Sequence, residues 1–320
     1  MVLSLVEIEK NNMTHCEEVD VLDDVRYGSV EMVKDRHGID QVILRNARGA
    51  TARISLYGGQ VLSWKNEQGE ELLFISSKAV FKPPMAIRGG IPICFPQFGG
   101  RGLLEQHGFA RNRMWAVDNE QPCSPRSKKT PGQASTDLVL QPSSEDISSW
   151  PNKFEIRLRV TLSEEGHLIL RSHVKNTNGK PLSFSIAFRT YFAISDISEV
   201  RVEGLEMLDY LDSLKDRERF TEQGDALTFE SEIDRVYLST SDVALFDHGS
   251  KRTFQIRKQG LPDVAVWNPW DKKAKAISDL GDDEYKEMLC VDGAVIEKPI
   301  TLKPGEEWAG LLDLSVLSSC

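Results

Sequence analysis

The sequence contains no CxxC pair, and its five cysteines (Cys16, Cys94, Cys123, Cys290 and Cys320) are odd in number and scattered along 320 residues. That usage suggests neither a zinc cage nor a disulfide framework, and it suits a reducing, cytoplasmic compartment. Basic charge is not in surplus either. Against 39 Lys and Arg stand 49 Asp and Glu, a formal net charge of −10, which argues against nucleic acid as a partner. No apolar run approaches the ~20 residues that cross a bilayer, so no membrane partner is expected. The opening MVLSLVEIEKNN meets Glu7, Glu9 and Lys10 too soon for a signal peptide. There is no G-x-G-x-x-G, no P-loop, no G-x-S-x-G and no H-E-x-x-H. The six histidines lack ligand spacing, and neither a metal nor another cofactor is expected. Helical periodicity is scarce, with faint candidates only around 209–219 and 272–280.

What the chain has in quantity is period-two alternation. EIRLRVTL at 155–162 alternates polar with apolar, SEEG turns the chain, and LILRSHV at 168–174 alternates again. This is the pattern of an antiparallel hairpin with one wet face. Further short strands are expected near 28–34, 41–46, 51–57, 60–65, 71–75, 182–188, 235–239, 252–258, 264–267, 286–291 and 307–316. Turn-forming segments such as RNARGA, NEQGEE, NTNGKP and KPGEE separate them. Many short strands in one long chain predict an all-β fold, a large antiparallel β-sandwich or barrel. Residues 1–25 read as a flexible arm ahead of one domain over 26–320, and QPCSPRSKKTPGQAST at 121–136 as a solvated loop within it.

Four segments stand out chemically. KPPMAIRGGIPICFPQFGGRGLLEQHGFARNR at 82–113 mixes prolines and glycines with Ile91, Ile93, Phe95 and Phe98. It reads as an ordered, irregular loop packed on a sheet, the kind of segment that carries sites. It holds Arg88, Gln106, His107, Arg111 and Arg113. Arginines there suit forked contacts to phosphate, and Gly89-Gly90 would let backbone approach a ligand. The alternative is ordinary surface pairing with the many acids. In FRTYF, Arg189 follows an apolar strand and reads as a rim residue or a site residue. In VWNPW, Trp267 is either a stacking wall for a sugar ring or core packing. In CVDGA, Asp292 is either a positioned base or a turn former.

Together these segments resemble the aldose 1-epimerase superfamily, and within it the hexose-6-phosphate mutarotase branch. The resemblance is carried by YGGQVLSW at 57–64, IRGGIPICFPQFG at 87–99, QHGFARN at 106–112, RTYFAISDI at 189–197, VWNPW at 266–270 and PGEEW at 304–308. It implies a galactose mutarotase-like super-sandwich and interconversion of the α and β anomers of a hexose 6-phosphate, glucose 6-phosphate above all. The implied substrate contacts are Arg88, Gln106, Arg111 and, from SEIDRVY, Asp234. Two positions depart from the family pattern. Arg189 stands where the family has its acid, a histidine, and Asp292 where it has its base, a glutamate. Arginine holds its proton at physiological pH, so it donates hydrogen bonds without serving as an acid. Aspartate draws the carboxylate back by one carbon–carbon bond, and a displacement of ~1 Å can cost ~100-fold in rate. His107 is the substitute acid on this reading. Glu297 is a lesser base, since its odd offset from Asp292 would turn it to the other face of a continuous strand. Slowed epimerisation is expected, with catalytically silent binding of a sugar phosphate or glycan as the alternative.

Overall fold

A computed structural model describes residues 27–118 and 130–318, so the arm expected over 1–25 and most of the 121–136 loop lie outside the described residues. In chain order the strands are β1 (Ser29–Lys34), β2 (Asp40–Arg45), β3 (Thr51–Ser55), β4 (Gln60–Lys65), β5 (Ile93–Cys94), β6 (Ala116–Val117) and β7 (Ala134–Leu140). There follow β8 (Phe154–Leu162), β9 (Leu168–Asn176), β10 (Leu182–Phe188), β11 (Tyr191–Ala193), β12 (Val200–Glu203), β13 (Asp209–Asp212) and β14 (Glu218–Thr221). The last are β15 (Ile233–Tyr237), β16 (Val243–Asp247), β17 (Arg252–Gln259), β18 (Asp263–Asn268), β19 (Met288–Leu302) and β20 (Glu307–Ser318).

They form three sheets. β1 to β4 make a meander, one large sheet runs β14-β13-β15-β18-β19-β10-β5 with β11 also on β19, and the other runs β12-β16-β17-β20-β9-β8-β7-β6. All the named strand pairs are antiparallel, as the alternation predicts. β8 buries every second residue from Phe154 to Leu162 against the core, leaving Arg157 and Arg159 on the other face. The three sheets share one apolar core, drawing Leu44 and Ile54 from the meander, Ile186 and Val291 from one large sheet, and Leu158, Leu170 and Leu312 from the other.

The strands that carry the site differ in pattern. β18 and the first nine residues of β19 are buried on both faces. One face of each meets the shared core. The other meets residues of the 82–113 segment and of neighbouring strands in two smaller apolar clusters. Among the described residues no helix is long and apolar enough to cross a membrane.

Several expectations change. Residues 209–219 form no α-helix; Tyr210 alternates with its neighbours on β13, and the Asp212 carboxylate accepts the Leu214 N–H to start a single 3-10 turn, Ser213–Lys215, that leads into β14. The 71–75 segment makes only isolated bridges, because its backbone also bonds to the 88–90 loop and to Tyr191. Strand β7 begins inside the expected loop, with ASTDLVL alternating in burial through small residues that carry little hydrophobic signal. The glycines of Arg88-Gly89-Gly90 serve the protein rather than an open approach to ligand. Both take positive φ, and a Cβ on either would collide with the carbonyl oxygens of Phe74 or Val61.

Candidate active site

Strand register assembles the site. Phe188 pairs with Gly293, and three residues further along each strand Tyr191 pairs with Cys290. The unbroken register sets Arg189 opposite Asp292 in the gap where β10 gives way to β11. On the same face, one row crosses the sheet from Tyr191 to Cys290, Trp267 and Asp234. A second row runs Cys94, Ala187, Ala294 and Asp263. Arg189 and Asp292 lie between these rows, with apolar side chains on both sides.

Asp292 is fully buried. Its Oδ1 accepts the Thr190 N–H at 2.9 Å, and its Oδ2 lies 3.7 Å from the Arg189 guanidinium but has no hydrogen-bond partner among the described residues. Burial pushes its pKa up to about 7; the attraction of Arg189 and the Thr190 hydrogen bond oppose that shift, and the Asp234 charge adds to it. Burial raises Asp234 too, against the pull of Arg189. Arg189 itself is 6% exposed. Its guanidinium lies 4.5 Å from the Trp267 ring centre and 5.8 Å from that of Tyr191, and its Nε has no partner among the described residues. Neighbouring anionic and polarisable groups hold its pKa above the ordinary arginine value despite burial. It keeps its proton.

Trp267 of VWNPW packs in the smaller apolar cluster with Phe74, Tyr191 and Cys290. It is buried, one ring face carries the Arg189 guanidinium, and its edge meets Tyr191.

The 82–113 segment brings three more groups. Arg88 donates to Asp279 Oδ1 from Nε and Nη2 at 3.2 and 3.0 Å, and from Nη1 to the Tyr191 hydroxyl at 3.2 Å. Arg111 reaches back to the Gln106 carbonyl at 2.7 Å; its Nε is unpartnered and no described carboxylate pairs with it. Gln106 is exposed at the rim, and its carbonyl is what anchors Arg111. His107 is 7% exposed, in a left-handed conformation, with its Nδ1 accepting the Gly99 N–H at 3.1 Å. Burial and the guanidiniums of Arg189, Arg111 and Arg88 push its pKa well below the usual histidine value. It is a neutral imidazole with its proton on Nε2 by this hydrogen-bond pattern. Those mutual influences place Arg88, His107, Arg111, Arg189, Asp292 and Asp234 in one neighbourhood.

Arg113 is drawn away, bound to Asp146 at 2.7 Å beside the short helix Ser144–Ser149. Glu297 is also outside. A register shift between its strand and β10 interrupts the alternation on which its orientation was read, and Arg219 holds it at 2.5 Å. Asp279, which fixes Arg88, was not among the expected site residues, and no local pattern marks it.

The chain has recognisable relatives. A family model described as aldose 1-epimerase matches residues 40–315. A Cenchrus ciliaris protein bearing a glucose-6-phosphate 1-epimerase name is 61% identical over 292 residues, 90% of this chain and 88% of that one. An Escherichia coli K12 protein bearing the same name is 32% identical and covers 76% of this chain and 79% of its own. Among solved structures, a Salmonella typhimurium mutarotase superposes with a TM-score of 0.77 at 25% identity, covering 90% of this chain and 97% of that one. A galactose 1-epimerase from Lactobacillus acidophilus NCFM shares the fold at 13% identity, with a TM-score of 0.67 over 92% and 100% of the two chains.

Proposed function

Because this chain belongs to the aldose 1-epimerase family, we propose that it is an isomerase interconverting the α and β anomers of a hexose 6-phosphate, with glucose 6-phosphate the favoured substrate. The observation that carries the reading is Asp292, a carboxylate of pKa about 7 with an unpartnered oxygen, set directly across from a fixed guanidinium. A general base works best when its pKa lies near the operating pH.

The proposed chemistry needs one proton carrier. Asp292 takes the proton from the anomeric hydroxyl as the bond between C1 and the ring oxygen breaks. The released electron pair stays on that oxygen, and Arg189 donates hydrogen bonds to the charge developing there. The open-chain aldehyde turns about C1–C2, the ring oxygen attacks the other face of C1, and protonated Asp292 returns its proton to the new hydroxyl. No charge or proton is left over. Arginine thus substitutes electrostatically for a proton donor. His107, neutral at physiological pH, contributes an Nε2–H donor rather than a proton source. Arg111, unpaired with any described carboxylate, and Arg88, held by Asp279, receive the phosphate; Gln106 and Asp234 bind sugar hydroxyls, and Trp267 supports Arg189 from below. Free, buried Cys94 and Cys290 suit a reducing cytosol.

The test is exchange between the α and β anomers of glucose 6-phosphate, followed by NMR with and without protein. Exchange faster than in buffer is the predicted result. Exchange at the buffer rate with the sugar phosphate still bound means a silent binder instead.

A further inference from the structure

Arg217 sits on the turn between β13 and β14, where Asp216 and Arg217 both take left-handed backbone conformations, φ 49° and 64°. Such conformations cost energy in non-glycine residues and persist only when the surroundings enforce them. Here the Arg217 N–H donates to the Asp212 carbonyl at 2.8 Å. The side chain is half-buried: its Nη2 is shielded from water without a hydrogen-bond partner, and no described carboxylate forms an ion pair with it. β13 pairs with β15 with Asp212 opposite Arg235, which brings this turn beside Asp234, and the charges of Arg101, Asp234, Glu297 and Asp263 all act on Arg217. Arg111 responds instead to Arg88, Arg189, Cys94 and Tyr191, on the β5–β11 side. Arg217 and Arg101 thus form a group of arginines distinct from Arg88 and Arg111. Next to Arg217, Arg101 lines a cavity of about 230 Å³ with Phe98, Ser185, Ile296, Glu297 and Pro299. Its one carboxylate, Glu297, is already held by Arg219.

We propose that Arg217 and Arg101 form a second anion subsite beyond Asp292, which takes the second phosphate of a hexose phosphorylated at both C1 and C6. This rests on the sugar-phosphate reading above, which assigns Arg88 and Arg111 to the C6 phosphate. A C1 phosphate extends past Asp292 toward Arg217. Lacking a free anomeric hydroxyl, such a sugar is held without turnover and competes with the substrate.

Calorimetric titration with glucose 6-phosphate and glucose 1,6-bisphosphate tests this on the full chain, with circular dichroism confirming the fold of each variant. The bisphosphate is expected to bind at least ~10-fold more tightly, the contribution of one added set of charge-assisted hydrogen bonds. Arg217→Gln brings the ratio of the two affinities to about one, whereas Arg217→Lys, which keeps the charge, preserves most of it. If Arg217→Gln does not fold, Arg101→Gln on its exposed loop is read the same way. Equal affinities in the wild type, or an advantage that survives loss of the charge, overturn the subsite while leaving the monophosphate reading in place. Failure of both ligands to bind overturns both.

Discussion

A carboxylate taken wholly out of water beside a guanidinium is an expensive arrangement whose cost appears as a shifted titration. The pKa of Asp292, about 7, lies above the ~3.9 of an unfolded chain. Between those values the folded protein holds a proton that the unfolded chain has lost, so this group's contribution to stability falls as pH rises from about 4 to about 7. Asp292→Asn removes that dependence: the drop in Tm between pH 5 and pH 8 is predicted to shrink in the variant, and an unchanged drop contradicts the burial account. The same titration makes the wild-type exchange rate rise through about pH 7 as the base ionises. The pairing at 189 and 292 is also a matter of volume. Asp292→Glu alone pushes the carboxylate by one methylene toward the buried Arg189 guanidinium, at a cost of ~1–3 kcal/mol. With Arg189→His beside it, the shorter partner makes space, and part of both Tm and rate returns. Contacting residues of this kind couple by ~0.5–3 kcal/mol in a double-mutant cycle; strictly additive effects contradict direct contact. The residue types at these positions were legible in CVDGA and FRTYF. Their protonation was not, because it comes from burial contributed by strands and loops distant in sequence.

At the scale of elements, the register of β10, β11 and β19 makes neighbours of residues a hundred positions apart in the chain. Period-two alternation marked the hairpin of β8 and β9 and the approximate places of β2, β10 and β20. It could not give which strands pair, because pairing depends on long-range partners. It failed at 209–219, where a short strand, a turn and a second strand together imitate a helical spacing. The glycine pair of the RGG segment was legible as a conformational need but assigned to the wrong neighbour. Gly90 lets the loop cross Val61 so that Arg88 lies against Tyr191. Gly90→Ala is therefore expected to lower stability by more than ~1 kcal/mol, read from chemical unfolding, since alanine meets both a positive φ and a backbone carbonyl. A neutral effect contradicts that close approach.

Over the whole molecule, a chain of net charge −10 gathers Arg88, Arg111, Arg189, Arg217 and Arg101 on one face of one sheet. Arg111 and Arg217, which pair with no described carboxylate, leave positive charge uncompensated where the proposed anionic sugar arrives. Composition alone pointed away from nucleic acid but was silent on this concentration, because it depends on which strands lie side by side. The proposed isomerisation depends most directly on Asp292 as the group that moves the proton. Anomer exchange of glucose 6-phosphate, measured by NMR at neutral pH in the wild type and in Asp292→Asn, decides it. The wild type is predicted to exceed buffer, and the variant to lose ~10²–10⁴-fold of that rate while still binding the sugar phosphate. An Asp292→Asn protein that exchanges the anomers as fast as the wild type contradicts the account.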